Sequence, residues 1–167
     1  MHLRESKQIL RQSDLFRDLN EIHLDLVLRV CEESNFLGGE YVFHQDDPGD
    51  ALYILAEGEV EIILEPKSAG EAVLPVAALE AISTFGEVIL VEKARRTASV
   101  RCKTNAQLLR IPRDRLLKLC SDYPEIGFRI MRRMAAELSL KLHASNLNIR
   151  EQLFDAEAER MRRPEPE

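Results

Sequence analysis

The chain has 167 residues, of which 45% are hydrophobic and 31% charged, and its formal net charge at pH 7 is −6. This length is enough for one domain with its own core, and the composition is that of an ordinary globular protein. The acidic balance argues against a nucleic-acid-binding surface, which requires basic residues, although a local basic patch is compatible with it.

The N-terminal residues and the cysteines favour a cytoplasmic protein. Residues 1–7 are polar and charged and lack the apolar core of a signal peptide, and the longest apolar run, residues 51–56, is far too short to span a bilayer. Cys31, Cys102 and Cys120 are odd in number and widely spaced, which is typical of reduced thiols rather than of a disulfide framework. We expect no metal site, because the chain has no CxxC pair and its histidines lack ligand spacing.

Helical patterns open the chain in a region that we place at residues 1–34. Residues 3–12 have apolar positions at helical spacing, which predicts a short amphipathic helix. Asn20 is a candidate N-cap for a second helix that continues to about Cys31.

From residue 35 to residue 112 the pattern changes to short strands separated by turns. The candidate strands are residues 36–37, 41–43, 51–55, 60–64, 73–79, 98–102 and 106–111. Clusters of Gly, Pro and Asp stand between them, as is typical of turns. Many short strands at regular spacing favour a sandwich or a barrel.

The region from residue 113 to residue 161 returns to a helical pattern. A short helix over residues 113–120 precedes Pro124, which suits the first turn of the next helix. Beyond it, apolar residues recur at helical spacing without a further proline, which predicts one long helix. Residues 162–167 are polar, charged and rich in proline, as in a disordered tail.

The segment from Phe85 to Val100 combines features of a site for a small anion that carries a hydroxyl group. Gly86 allows the backbone to approach a ligand closely. The residues that follow it can form one helical turn, whose first N–H groups attract phosphate, and Glu87 in that turn can accept a hydrogen bond from a hydroxyl. Arg96 can pair with phosphate through two parallel N–H groups, and Thr97 adds a hydroxyl.

At this spacing the segment, residues 85–100, resembles the phosphate-binding cassette of the cyclic nucleotide-binding domain family. That family includes kinase regulatory subunits, the bacterial catabolite activator and cyclic-nucleotide-gated channels, and Arg-Arg-Thr-Ala-Ser-Val is most similar to the channel version. The glycines at positions 39, 49 and 58 also match the family, at corners between strands.

The resemblance covers roughly residues 15–142 and implies a stand-alone sensor with an α+β fold. This fold is an eight-stranded antiparallel β-roll, jelly-roll-like, with N-terminal helices and a long C-terminal helix. The roll would occupy residues 35–112, and the helices of residues 113–161 would supply a lid and a possible dimer contact.

The resemblance also implies roles for individual residues. Glu87 would accept a hydrogen bond from the ribose 2′-hydroxyl of cAMP or cGMP, Arg96 would neutralise the cyclic phosphate, and Thr97 would contact phosphate or guanine. The start of the long helix, somewhere in residues 134–142, would close over the base, and no cofactor besides this ligand is expected. The predicted nucleotide-binding residues are Phe85, Gly86, Glu87, Val88, Ile89, Arg96, Thr97 and Ala98.

Two positions depart from the family pattern. Ile82 stands where the family usually has glycine, so we expect the corner before the cassette to be built differently. Ile89 stands where the family prefers a small residue. Its side chain either crowds or blocks the ribose-phosphate site, or points into the core and leaves its amide free to donate. Arg96 is then either paired with an anion or solvated in an empty site.

We therefore expect a regulatory module that binds cAMP or cGMP and passes the signal through its C-terminal helix. The receiver would be an unknown protein effector or a second copy of the chain. The alternative is a degenerate domain that binds no nucleotide and acts as a protein-interaction module.

Two further function classes are rejected. A catabolite-activator-type DNA-binding protein needs a helix-turn-helix after the long helix, and the remaining residues contain no second helix pair. Unless the chain is a fragment, we therefore expect no DNA partner. We also expect no membrane partner. A cupin-like enzyme needs clustered histidines on its strands, and only His44 lies in the strand region, so we expect no enzyme.

Overall fold

The computed structural model describes residues 3–66, 72–91 and 95–162, and beyond His143 it describes only the backbone course of the last helix. Residues 92–94 of the cassette and residues 163–167 of the predicted tail lie outside the described residues.

Within the described residues, eight strands form two four-stranded antiparallel sheets, which confirms the predicted β-roll. The strands are β1 (Glu32–Phe36), β2 (Tyr41–Phe43), β3 (Ala51–Glu57), β4 (Val60–Leu64), β5 (Leu74–Leu79), β6 (Thr84–Phe85), β7 (Ser99–Cys102) and β8 (Ala106–Pro112). One sheet has the order β1-β8-β3-β6, and the other has the order β2-β7-β4-β5.

Four α-helices flank the sheets in the described part of the chain: α1 (Leu3–Gln12), α2 (Glu21–Leu28), α3 (Arg113–Asp122) and α4 (Pro124–Arg162). The predicted cap of α2 is confirmed, since the Asn20 side chain accepts a hydrogen bond from the His23 N–H at 2.9 Å. The long helix α4 begins at Pro124, as predicted, and has 39 residues. None of the described helices is both long enough and apolar enough to cross a membrane.

The first strand begins earlier than the sequence predicts. β1 starts at Glu32 rather than near Phe36, and Glu32 lies opposite Arg110 in the antiparallel pair with β8. The Arg110 Nη1 atom donates to Glu32 Oε2 at 2.6 Å. This long-range pairing extends the strand over polar residues whose local pattern does not indicate a strand.

Strand β3 separates two apolar clusters and is buried on both faces. Leu52 and Ile54 pack in the cluster that the helices cover, whereas Ala51, Tyr53 and Leu55 lie in the cluster inside the roll. Successive side chains of a strand point to opposite faces, so a strand between two cores needs an uninterrupted apolar run. The run at residues 51–56 therefore forms an interior strand of its sheet, between β8 and β6.

The corner before the cassette keeps a left-handed backbone despite the isoleucine. Ile82 has φ 76°, a conformation that glycine adopts freely and a β-branched residue adopts at a cost. The Ile82 N–H donates to the Leu55 carbonyl at 2.6 Å, and the Leu55 N–H donates to the Ser83 carbonyl at 3.0 Å. These bonds to β3 hold the turn in place, in a conformation that glycine would adopt without strain. A corner built differently from that of the family stays a prediction.

Candidate functional site

A cavity of about 340 Å³ lies between the cassette, strands of both sheets and α4. This volume is within the range of small-molecule pockets, roughly 300–1,000 Å³. Apolar side chains of the sheets form much of its wall: Phe43, Ile62, Ala77, Leu79 and Val100. The structure also brings all of the sequence-predicted site residues around it: Phe85, Gly86, Glu87, Val88, Ile89, Arg96, Thr97 and Ala98. Their role in binding stays a prediction.

Gly86 is the point at which the cassette backbone turns and approaches the arginine. It has φ 74° and precedes a single 3-10 turn, Glu87–Leu90. A Cβ atom on this residue would lie 2.7 Å from Arg96 Nη1. Both the backbone conformation and the space therefore favour glycine here.

Arg96 is almost completely buried, with 3% of its side chain exposed. Its Nη2 atom donates to the Ala51 carbonyl at 2.7 Å, and the guanidinium carbon lies 4.0 Å from the centre of the Phe43 ring. Its Nε and Nη1 atoms have no hydrogen-bond partner among the described residues. Burial lowers the pKa of the guanidinium, an effect opposed by Tyr53 and Asp50, but an arginine side chain stays protonated.

A buried cation with two unpaired N–H groups is costly in free energy unless an anion pairs with it. Arg96 has one weak carboxylate contact, 3.5 Å from Nη2 to Asp50 Oδ1, and that carboxylate also accepts from Arg110 at 2.6 Å. Among the described residues, Arg96 is thus neither fully paired nor exposed to solvent. Arg96 lines the cavity, but its unpaired Nε and Nη1 atoms have almost no accessible surface, so a phosphate would pair with them only after the side chain or the residues around it shift.

Glu87 is buried and paired with the long helix. Its side chain is 8% exposed, and its Oε1 atom accepts from Lys141 Nζ at 2.6 Å. Burial alone would lower the pKa of Lys141, but the hydrogen bond and the charge of Glu87 outweigh it and raise that pKa. Lys141 lies within the stretch of α4 expected to form the lid, and sequence reasoning did not single it out.

Ile89 lines the cavity without filling it. The residue is 3% exposed and the cavity keeps its volume of about 340 Å³ beside it. Whether Ile89 crowds the ribose-phosphate site stays a prediction. The Ile89 carbonyl accepts from Arg113 Nε at 2.6 Å, which ties the 3-10 turn to the start of α3.

Thr84 is a second lining residue that the sequence did not indicate. Its Oγ1 atom is buried and has no hydrogen-bond partner among the described residues. Thr84 belongs to β6, which has two residues and so leaves no periodic pattern to detect. The nearby Thr97 is exposed at the cavity rim.

These groups define the chemistry that the cavity can accommodate. A buried guanidinium accepts an anion, a buried carboxylate and a hydroxyl accept or donate hydrogen bonds, and apolar strand residues cover a flat or hydrophobic portion. No cluster of three or more His, Cys, Asp or Glu side chains that could hold a metal ion occurs in the described ranges.

Comparison with known proteins identifies the family and several relatives. Residues 33–123 match the family model described as "Cyclic nucleotide-binding domain". The chain is 30% identical over 117 residues to a cAMP-dependent protein kinase regulatory subunit of Emericella nidulans, with 70% of this chain and 27% of that protein aligned. It is 26% identical over 147 residues to a CRP-like cAMP-activated global transcriptional regulator of Mycobacterium tuberculosis, with 88% and 63% aligned.

A solved structure has the same fold. The regulatory domain of Toxoplasma gondii PKA, crystallised with cAMP, superposes with a TM-score of 0.63 at 28% identity over 70% of this chain and 43% of that one. The chain thus spans about a quarter of the length of the kinase subunit and under two thirds of the bacterial regulator.

Proposed function

Because the chain belongs to the cyclic nucleotide-binding domain family, we propose that its cavity binds a cyclic nucleoside monophosphate, cAMP or cGMP. The observation that carries this proposal is the buried guanidinium of Arg96, whose Nε and Nη1 donors are unpaired in the described structure. A cyclic phosphate carries one negative charge and can accept hydrogen bonds from a guanidinium.

The remaining charges around the cavity are consistent with a singly charged ligand. Glu87 and Lys141 form an ion pair, and the exposed Arg95 donates to the Asp46 carbonyl at 2.7 Å. Arg96 is the buried cation, and its carboxylate contact is the long one, 3.5 Å, to Asp50. The phosphate would lie on Arg96, the 2′-hydroxyl on Glu87 and the base against the apolar strand residues. Two of the relatives carry cAMP in their names, and one neighbour was crystallised with it, which supports this ligand class.

We further propose that binding is transmitted through α4. This helix supplies Lys141 to the cavity and contacts α3, which in turn holds the Ile89 carbonyl through Arg113. Leu140 and Leu142 on α4 are 71% and 61% exposed. Apolar side chains in such positions suit a contact with a protein effector or with a second copy of the chain.

Calorimetric titration with cAMP and with cGMP tests the proposed ligand. We expect binding in the micromolar range by the wild type and a loss of more than about tenfold in Arg96→Leu, since a charge-assisted pair contributes roughly 1.5–3 kcal/mol. Arg101→Leu is the matched control, because Arg101 lies on β7 and pairs with Glu61 outside the cavity. A folded wild-type protein that releases no heat with either nucleotide would refute the proposal and favour the protein-interaction module.

A further inference from the structure

The ion pair between Glu87 and Lys141 joins the cassette to the long helix inside the cavity. Its Oε1–Nζ distance is 2.6 Å, and the two residues are 54 positions apart in the sequence. The Glu87 side chain is 8% exposed and the Lys141 side chain 57%, so the lysine extends from the surface of α4 to a buried carboxylate. Lys141 is the residue of α4 that lines the cavity in the described part of the chain.

The positive charge of Lys141 should favour binding of an anionic ligand, because it neutralises Glu87. Without the lysine, Glu87 would be a buried and unpaired carboxylate in the same cavity as the phosphate, and two like charges in such a site repel each other. With the lysine present, the carboxylate is neutralised through Oε1, and Lys141 does not occupy its second oxygen, Oε2. That oxygen can accept a hydrogen bond from a ligand hydroxyl.

The other charged groups near this pair do not replace Lys141. Glu137, one turn earlier on α4, is partly buried, and its pKa is raised by burial, with Glu87 and Asp14 adding to the effect. Arg133 is directed elsewhere, since its Nε donates to the Asp14 carbonyl at 2.9 Å. Arg95, a further cation that lines the cavity, donates to the Asp46 carbonyl at 2.7 Å. Lys141 is therefore the cation bonded to Glu87 in the described structure.

We propose that Lys141 is a positioning residue for Glu87, and that this pair couples occupancy of the cavity to the position of α4. The inference rests on the proposed function, because it assumes that Glu87 accepts the hydroxyl of a bound nucleotide. The bond forms only when the Lys141 segment of α4 lies against the cavity. A ligand that needs Glu87 fixed and neutralised binds better to that state and increases its population.

A nucleotide without the ribose 2′-hydroxyl tests whether Lys141 acts by positioning Glu87, because such a ligand has no hydroxyl for Glu87 to bind. We would titrate the wild type, Lys141→Met and Lys141→Arg with cAMP and with its 2′-deoxy analogue. Lys141→Met should bind cAMP about three- to tenfold more weakly, a range that allows for the exposure of the lysine. For the 2′-deoxy analogue, the affinity of Lys141→Met should fall much less relative to the wild type. Lys141→Arg should retain most of the affinity for cAMP. Lys118→Met, which removes a lysine paired with Asp122 on α3, is the matched control and should bind as the wild type does.

Two further measurements separate positioning from direct contact. In a Glu87→Gln background, Lys141→Met should cause no additional loss, because the two residues act as one unit. Hydrogen exchange of the α4 amides around Lys141 should slow on binding in the wild type, and less so in Lys141→Met.

Three results would overturn the inference. An equal loss for both nucleotides would mean that Lys141 contacts the phosphate or the base. Tighter binding by Lys141→Met would mean that the lysine competes with the ligand for Glu87, and unchanged binding would mean an ion pair without a role in recognition. Wild-type binding that Arg96→Leu abolishes and Lys141→Met leaves unchanged would overturn this inference alone. Absence of wild-type binding would overturn the proposed function with it.

Discussion

Replacing Gly86 by alanine should reduce nucleotide affinity more than it reduces folding stability, because the new methyl group collides mainly with the Arg96 side chain. Its Cβ atom would lie 2.7 Å from Arg96 Nη1 and 3.4 Å from the Ala51 carbonyl oxygen. Ordinary contacts between heavy atoms are about 3.5–4.0 Å, so the guanidinium has to move by roughly 1 Å. The atom that moves is the end of a flexible side chain, so this collision reduces affinity more than stability. A left-handed alanine costs a further 1–2 kcal/mol or so of folding free energy.

Gly39→Ala supplies the matched control for the backbone strain. Gly39 has φ 91°, and a Cβ atom there meets no atom within 4 Å. Both variants should lose about 1–2 kcal/mol in urea denaturation, from the same left-handed strain. In calorimetric titration with cAMP or cGMP, only Gly86→Ala should lose affinity, by more than about tenfold, the effect expected when the Arg96 pair is broken. Wild-type affinity in Gly86→Ala, or an equal loss in Gly39→Ala, would refute the reasoning.

Three other changes have expected outcomes. Ile82→Gly should raise the free energy of unfolding by about 1 kcal/mol, because it removes left-handed strain, whereas Ile82→Ala, which keeps the strain, should give no gain in urea denaturation. Thr84→Val deletes a buried hydroxyl that has no hydrogen-bond partner among the described residues. It should therefore stabilise the ligand-free protein by about 1 kcal/mol in urea denaturation and weaken nucleotide binding in calorimetry. A less stable variant would contradict this prediction. Burial raises the pKa of Cys31 to about 12 and also raises the pKa values of Cys102 and Cys120, so all three thiols are protonated at neutral pH. Iodoacetamide should therefore label them slowly until urea unfolds the protein. Rapid labelling of the native protein would contradict this expectation.

Most helices could be predicted from the sequence because their boundaries depend on local residues. Asn20 caps α2 through its own side chain, and Pro124 begins α4 without needing an N–H partner. The start of β1 and the whole of β6 were not indicated, since both depend on pairing with distant strands. Ile82 shows the same limit, because bonds to β3 impose a backbone conformation that its own side chain disfavours.

The cassette was visible in the sequence because its groups follow one another along the chain, and the structure places them around one cavity. The positions of Lys141 and Thr84 at the cavity could not be predicted from the sequence. Lys141 is 54 positions from its partner Glu87, and a lysine on a helix looks the same whether it faces solvent or a carboxylate. The effect of Ile89 depends on how much space the opposite wall leaves, which a sequence pattern does not contain.

The measurement that most directly tests the central claim is the nuclear magnetic resonance signal of the Arg96 Nε–H group during titration with cAMP and cGMP. Comparison with the spectrum of Arg96→Leu assigns the signal. This donor has no hydrogen-bond partner in the described structure, and a phosphate would give it a short, charge-assisted bond. We expect a large downfield shift that saturates along the same curve as the calorimetric heat. A signal that stays in place while calorimetry shows nucleotide binding would contradict a phosphate site at Arg96. The absence of any nucleotide binding would contradict it as well.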